Sequence, residues 1–400
     1  MAAAFFSASY AEARQRFLDA AAQAGLAVQS HPHPLPGRDG EPLAMDVARD
    51  GPMDAGALLV LSSACHGVEG FCGSGAQVAA LHDAAWRAQA RSFGVSVLYL
   101  HALNPHGFSH LRRVTHENVD LNRNFHADFS PAALPVNPRY AELHPLLLPD
   151  SWPPDAENAA ALQAWIERHG MAAYQAGISQ GQHTHAGGMY FGGTAPTWSN
   201  ATVRRVLREH GRAARRIGWI DVHTGLGPSG HGERIFAGRN DAAALERARA
   251  WWGGARDAAT GGWATPITSF YDGSSTSAFL TGLLFNAAYD ECPHADYTGI
   301  ALEFGTQPLL EVLDALRGDH WLHRARTTIA HAAGGGGALA SAAADTQAPA
   351  IARRMRDAFY TDTDDWKQRI VAQTLQALQQ GAEGLAGSGL GIGASPAAGA

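Results

Sequence analysis

Residues 57–70 constrain this chain more than any other stretch. Ala57-Leu58-Leu59-Val60-Leu61 is a short, unbroken apolar run with the character of a strand buried on both faces. It stops at a polar, glycine-flanked turn, Ser62-Ser63-Ala64-Cys65-His66-Gly67-Val68-Glu69-Gly70. Open α/β sheets hold their sites just past the carboxyl ends of strands. Here that position carries an imidazole, His66, and a carboxylate, Glu69, both donors suited to zinc. Gly67 and Gly70 allow a backbone tight enough for the two side chains to converge. An isolated HxxE in a turn is common, so the weight of the pair depends on what the rest of the chain adds.

The surrounding pattern is that of an α/β protein. Gln77 to Ala90 has the spacing of an amphipathic helix, with Val78, Leu81 and Trp86 on one side, and Val95 to Leu100 is a second strand. Strand, helix, strand predicts a βαβ unit and a partly parallel sheet. Ser7 to Ala24 reads as an earlier helix with a serine cap, and His31 to Pro42 as a loop leading into the first strands. Asn104 to Asp155 is rich in loop residues and prolines, with charges crowded between Arg112 and Arg123; so long an irregular stretch is usually functional. Helices are expected over 155–176 and 200–215, around a glycine-rich loop from Gly181 to Gly193. Ile217 to Val222 is a further strand ending at His223, and Gly299 to Phe304 another, carrying Glu303. Helices over 307–330, 350–359 and 364–379 close the pattern. The expected fold is a single α/β domain over residues 1–380, a mixed, largely parallel sheet flanked by helices on both faces. Residues 381–400 are a low-complexity Gly/Ala/Ser tail expected to be disordered.

Composition bounds the function. Hydrophobic residues make up 46% of the 400 residues and charged ones 17%, enough apolar material for a large core. A net charge of −7 argues against nucleic acid or an anionic membrane as partner. No apolar run approaches the ~20 residues of a membrane span. The N-terminal stretch lacks a basic start and a sustained apolar segment, so no signal peptide is expected and the expected location is cytoplasmic. Three cysteines, an odd count without a CxxC pair, predict no disulfide framework. Cys65, beside His66, reads as a small buried thiol rather than a nucleophile. Twenty histidines permit metal chemistry without requiring it.

Apolar runs thus end at His66 and Glu69, at His223 and at Glu303. His223 offers the third donor of a catalytic zinc, in which a close pair and a distant third ligand leave the fourth position for water. Asp221, two residues before, either orients His223 or caps the strand. Glu303 is an ionisable group where the chain should be buried, which is costly unless the group is paired or used. Beside a metal-activated water it reads as the general base, and then as the acid that protonates a leaving nitrogen.

Between these elements runs Arg113-Val114-Thr115-His116-Glu117-Asn118-Val119-Asp120-Leu121-Asn122-Arg123-Asn124-Phe125. Leu-Asn-Arg-Asn-Phe after Asp120, with an arginine ten residues before Arg123, resembles the zinc carboxypeptidase superfamily. That superfamily holds carboxypeptidase A-like peptidases and the succinylglutamate desuccinylase/aspartoacylase branch. Asp-Val-His-Thr-Gly-Leu-Gly at 221–227 and Leu-Glu-Phe-Gly-Thr at 302–306 are most similar to a bacterial branch of unassigned function. The matches run in family order from His66 to Glu303. The resemblance implies zinc held by His66, Glu69 and His223, with Glu303 as base. It implies that Arg113 stabilises the tetrahedral intermediate, and that Asn122 and Arg123 hold a substrate carboxylate, Arg123 by a two-pronged contact. Alone, such an arginine cluster reads as a solvated loop or an ion pair with Asp120; beside the zinc pair it reads as substrate-handling. Two departures stand out. Glu69 and His223 are 154 residues apart, farther than in the peptidases. The tyrosine that peptidases bring over the substrate has two candidates, Tyr271 and Tyr289, with no basis for choosing. The loop at 180–193 either shapes the substrate pocket or packs.

Two rival motifs are weaker. Gly177-Ile178-Ser179-Gln180-Gly181 matches the serine-hydrolase elbow, which requires a preceding strand; the residues before it have helical spacing. Gly225 to Gly230 matches GxGxxG after a strand, but Pro228 does not open a helix. The expectation is therefore a zinc hydrolase cleaving an amide bond in a small-molecule or peptide substrate with a free carboxylate. The bond is either a C-terminal peptide bond or that of an N-acyl amino acid, and a catalytically silent metal-binding protein is the non-enzyme alternative. Oligomeric state is not legible.

Overall fold

The computed structural model describes residues 2–254, 265–331 and 337–387. Among them, eight strands form one sheet: β1 (Val28–Pro32), β2 (Ala44–Asp50), β3 (Ala57–Ser62), β4 (Val95–His101), β5 (Arg216–Ser229), β6 (Gly232–Phe236), β7 (Ile267–Ser269) and β8 (Asp296–Gly305). Their spatial order is β1-β2-β4-β3-β5-β8-β6-β7. The centre, β4-β3-β5-β8, is parallel; β1-β2-β4 and β8-β6 are antiparallel. This is the mixed, largely parallel sheet that the apolar runs predict.

Alternation along the central strands builds two cores. Leu59, Leu61, Val97, Tyr99, Ile220 and Val222 face one side, with Phe17, Phe71, Trp252 and Leu378 from the helices covering it. Leu58, Val60, Leu98, Leu100, Ile217 and Trp219 face the other, under Val203, Val206 and Leu207 of the helix Trp198–His210. Burial on both faces is why these strands read as continuous apolar runs. His223, in phase with Ile217 and Trp219, and Glu303, in phase with Ala301, share the second face.

Several helices differ from the sequence expectation. The helix expected at 77–90 is two, Gly70–His82 and Ala84–Ser92, because the Asp83 carboxylate accepts the Trp86 N–H and starts a new helix. The stretch read as loop between 104 and 155 contains the helices Pro105–Ser109 and Pro138–Leu147, each opened by an asparagine cap and a proline at the first position, where proline fits. The helix expected over 155–176 breaks at Gly170, and the last helix, Asp364–Gly387, runs through the first residues of the expected tail. Residues 388–400 of that tail lie outside the described residues. No helix among the described residues is long and apolar enough to cross a membrane.

The connections place the site. From β3 the chain crosses to β4 on one side; when it returns, β5 lies on β3's other side and leads on to β8. The crevice at the carboxyl ends of β3 and β5 is therefore a topological switch point, the position at which α/β sheets bind ligands.

Candidate active site

At the end of β3, His66 caps a single 3-10 turn, Gly67–Glu69, which passes directly into the helix Gly70–His82. The glycines of this turn serve close approach rather than unusual dihedrals. A Cβ on Gly67 would lie 2.1 Å from the carbonyl carbon of Gly107, and one on Gly70 2.4 Å from the Phe108 ring. The Gly67 and Val68 N–H groups donate to the carbonyls of Arg113 and Arg112 at 3.0 and 2.9 Å, tying the arginine segment to the turn.

Three donors from two strands converge there. His66 Nδ1 lies 2.9 Å from Glu69 Oε1, His223 Nδ1 lies 3.1 Å from Glu69 Oε2, and the two Nδ1 atoms are 3.3 Å apart. Ligands about 2.0–2.1 Å from a tetrahedral zinc stand about 3.3 Å from one another, so these separations fit one ion. All three side chains are buried. The other nitrogen of His223 is 2.6 Å from Asp221 Oδ2. Asp221 Oδ1 accepts the Ser62 hydroxyl at 2.5 Å, and Ser62 Oγ in turn accepts the Trp219 indole N–H at 2.7 Å. This buried chain fixes the His223 ring with Nδ1 turned toward Glu69 and His66, so Asp221 orients His223 rather than capping the strand. His66 has a comparable support, Asp120, 3.2 Å from its Nε2.

The electrostatics favour positive charge at this point. Burial works against ionising Glu69, yet the two imidazoles outweigh it and hold its carboxyl below the usual range. Burial likewise opposes charge on His223, but Asp221 and Glu69 pull its pKa well above the ordinary imidazole value. The same field that holds a proton there attracts a cation. Cys65 Sγ also lies near His223 and Asp221. Burial pushes its pKa well up, however, and the thiol form is a poor ligand.

Glu303 stands on β8 directly opposite His223 on β5. Beyond Thr224 the β5–β8 register shifts, and Gly225 takes φ +137°, which turns the Leu226 N–H onto Glu303 Oε1 at 3.0 Å. β5 therefore continues past His223 to Ser229, and the glycine-rich GxGxxG stretch is strand and bulge, with no helix after it. Burial, then the charge of Glu69, raise the Glu303 pKa to about 7. A carboxyl that titrates near neutrality is suited to proton transfer.

The two arginines differ. Arg113 uses all its nitrogens inside the site: Nε donates to Asp120 at 2.9 Å, Nη1 to Glu69 at 3.0 Å, and Nη2 lies 2.8 Å from His66 Nε2. Arg123 is just as buried, but its Nε and Nη1 donate only to the carbonyls of Ser179 and Asn122. Its nearest carboxylate oxygen, on Asp120, is 4.0 Å away, and no hydrogen bond among the described residues engages its Nη2. Asn122 accepts the Leu284 N–H at 2.9 Å through Oδ1, which leaves its amide NH2 available. Asn122 and Arg123 line the same cavity as His66, Arg113, His223 and Glu303.

Two residues take part that the sequence motifs do not single out as site residues. Asp120 is the support of His66 and partner of Arg113, across 54 residues of chain from His66. Tyr190 lines the cavity, with the guanidinium carbons of Arg113 and Arg123 5.1 and 5.4 Å from its ring centre. Neither tyrosine singled out from the sequence lines it: Tyr271 donates to the Gly238 carbonyl, and Tyr289 packs under Arg239. The rest of the 180–193 loop packs, through bonds such as Gln182 Nε2 to the carbonyls of His185 and Met189. Ser179 ends the helix Met171–Ser179, without the strand a nucleophile elbow needs.

Fold and site together define an α/β protein with a buried two-histidine, one-carboxylate centre at the switch point of its sheet. The chain belongs to the family DUF2817, described as "protein of unknown function", whose model matches residues 6–373. No curated protein matches it. Among solved structures it is similar to a carboxypeptidase A from Helicoverpa armigera, at 13% identity and a TM-score of 0.45, covering 86% of this chain and 73% of that one. Thrombin-activatable fibrinolysis inhibitor is similar at 12% identity and a TM-score of 0.45, covering 74% and 68%. A protein of the succinylglutamate desuccinylase/aspartoacylase family from Shewanella amazonensis is similar at 16% and 0.30, covering 74% and 72%.

Proposed function

We propose that the protein is a zinc-dependent hydrolase of an amide bond in a substrate that carries a free carboxylate. The observation that carries this reading is the convergence of the ring nitrogens of His66 and His223 and the carboxylate of Glu69 on one point beside Glu303. Zinc at such a site supplies a Lewis acid and lowers the pKa of water toward neutrality. Glu303, as the carboxylate, takes the proton of the attacking water and delivers it to the leaving nitrogen. Arg113 keeps Asp120 through Nε. Its guanidinium, beside Glu69 and His66, would stabilise the negative charge that develops on the carbonyl oxygen. Arg123 and the Asn122 amide receive the substrate carboxylate, supplying the buried guanidinium with the anion that its own surroundings lack.

The test is hydrolysis of a panel of dipeptides and N-acyl amino acids before and after treatment with a chelator. Activity should vanish with zinc and return when zinc is restored; activity indifferent to the chelator would remove the mechanism. Arg123→Ala should raise KM for these substrates more than it lowers kcat, and an equal loss on a neutral ester would count against its carboxylate role.

A further inference from the structure

A second cavity opens beside the arginine segment and shares no lining residue with the first. Arg113 turns into the metal site, whereas Arg112, its neighbour in sequence, lines the second cavity. The charge there is one-sided. Three guanidiniums line it, those of Arg38, Arg112 and Arg326, against one carboxylate, Asp319. Both oxygens of Asp319 are spent on Arg112 Nε, at 3.0 and 3.1 Å. Arg112 Nη2 donates to Asn118 Oδ1 at 2.9 Å, and no hydrogen bond among the described residues engages its Nη1, although the residue is only 8% exposed. The guanidiniums of Arg38 and Arg326 pair with Asp39 and Asp345, which lie outside the lining. Such pairs between exposed side chains are weak and yield readily to a better partner.

His110 also lines this cavity, with Nε2 buried and without a hydrogen-bond partner among the described residues. Burial first, with Arg112 among the charges, holds both His110 and His323 below the ordinary imidazole value, His323 at about 4. The two rings thus report a cationic field, which an anion would neutralise. The guanidiniums come from three separate elements: Arg38 from the loop after β1, Arg112 from the segment after the helix Pro105–Ser109, and Arg326 from the helix Leu309–His331. That spread suits the several oxygens of a tetrahedral phosphate better than the two of a planar carboxylate. Much of the remaining wall is apolar, made of Leu322 and, on the helix Gly337–Phe359, Pro349, Ile351 and Ala352.

We propose that this second cavity binds a phosphate monoester with an apolar body, the phosphate held by Arg38, Arg112 and Arg326 and the body set against Leu322, Ile351 and Ala352. The site stands whether or not the protein is a hydrolase. Phenyl phosphate, inorganic phosphate and benzoate are titrated calorimetrically into the full chain and its variants. Phenyl phosphate should bind at least about tenfold more tightly than inorganic phosphate, which lacks the apolar body, and than benzoate, which lacks the tetrahedral oxygens. Arg38→Ala and Arg326→Ala, both changes of exposed side chains, should each weaken phenyl phosphate about tenfold. Ala352→Glu, which sets a carboxylate on the wall, should abolish its binding. Arg123→Ala should leave it unchanged, since Arg123 belongs to the other cavity. No binding of phenyl phosphate, an affinity unmoved in all three cavity variants, or an affinity lost in Arg123→Ala would overturn the site. Inorganic phosphate or benzoate bound as tightly as phenyl phosphate would overturn the ligand class.

Discussion

Two groups of histidines in this protein have opposite designs. His66 and His223 each face a buried aspartate with one nitrogen and converge with the other beside Glu69. His33, His106, His110 and His116 also cluster, but through their rings. His106 stacks on His110 at 4.1 Å, His33 meets Trp198 edge-on at 4.8 Å, and the one carboxylate near a ring nitrogen is Glu117, beside His116. Their donors form none of the convergent groups found among the described residues. The electrostatics divide in the same way. Carboxylates carry His223 well above the ordinary imidazole range, whereas burial and neighbouring histidines press His106 down to about 3. What separates the proposed metal site from the second cluster is the carboxylate behind each imidazole and not the number of imidazoles.

That contrast can be broken or sharpened by substitution. The largest effect belongs to Glu303→Gln, which should lower kcat by roughly 10²–10⁴-fold while leaving zinc content unchanged; loss of both would make Glu303 a structural residue. Asp221→Ala should weaken zinc binding by about 10–100-fold, read by competition with a chromogenic chelator, because the His223 ring loses its anchor. Unchanged affinity would show that the aspartate is dispensable. A smaller and graded effect is expected with pH. Glu303 accepts a proton only when ionised, so kcat/KM should fall about tenfold per pH unit below an inflection near 7. A profile flat down to pH 5 would exclude this carboxylate as the base. At the bottom of the scale, His106→Ala should cost about 1 kcal/mol of stability and leave zinc content and kcat untouched.

The sequence was most legible where one local rule sufficed. The strands read at 57–61, 95–100, 217–222 and 299–304 announce themselves because burial on both faces makes them apolar runs, and each lies within an observed strand. Their polar ends supply His66, His223 and Glu303, which line one crevice, and Glu69, which bridges the two histidines. The helices at 105–109 and 138–147 were hidden because their prolines, read as breakers, sit at helix starts, and Pro145 lies inside the second. Asp120 reads as the partner of a structural ion pair, which it is with Arg113, and its place behind His66 shows only once β3 brings the two together. Tyr190 carries no periodic or motif signal. It reaches the cavity from a loop, in a left-handed conformation with φ +51°, and only the assembled fold places two arginines on its ring.

The central claim is that His66, Glu69 and His223 hold one zinc. It is tested most directly by elemental analysis of the purified protein beside His66→Ala and His223→Ala. About one zinc per chain in the wild type, lost from both variants and retained in His106→Ala, is the result expected from the geometry. Wild-type protein that takes up no zinc even after reconstitution, or variants that keep it, would contradict the account.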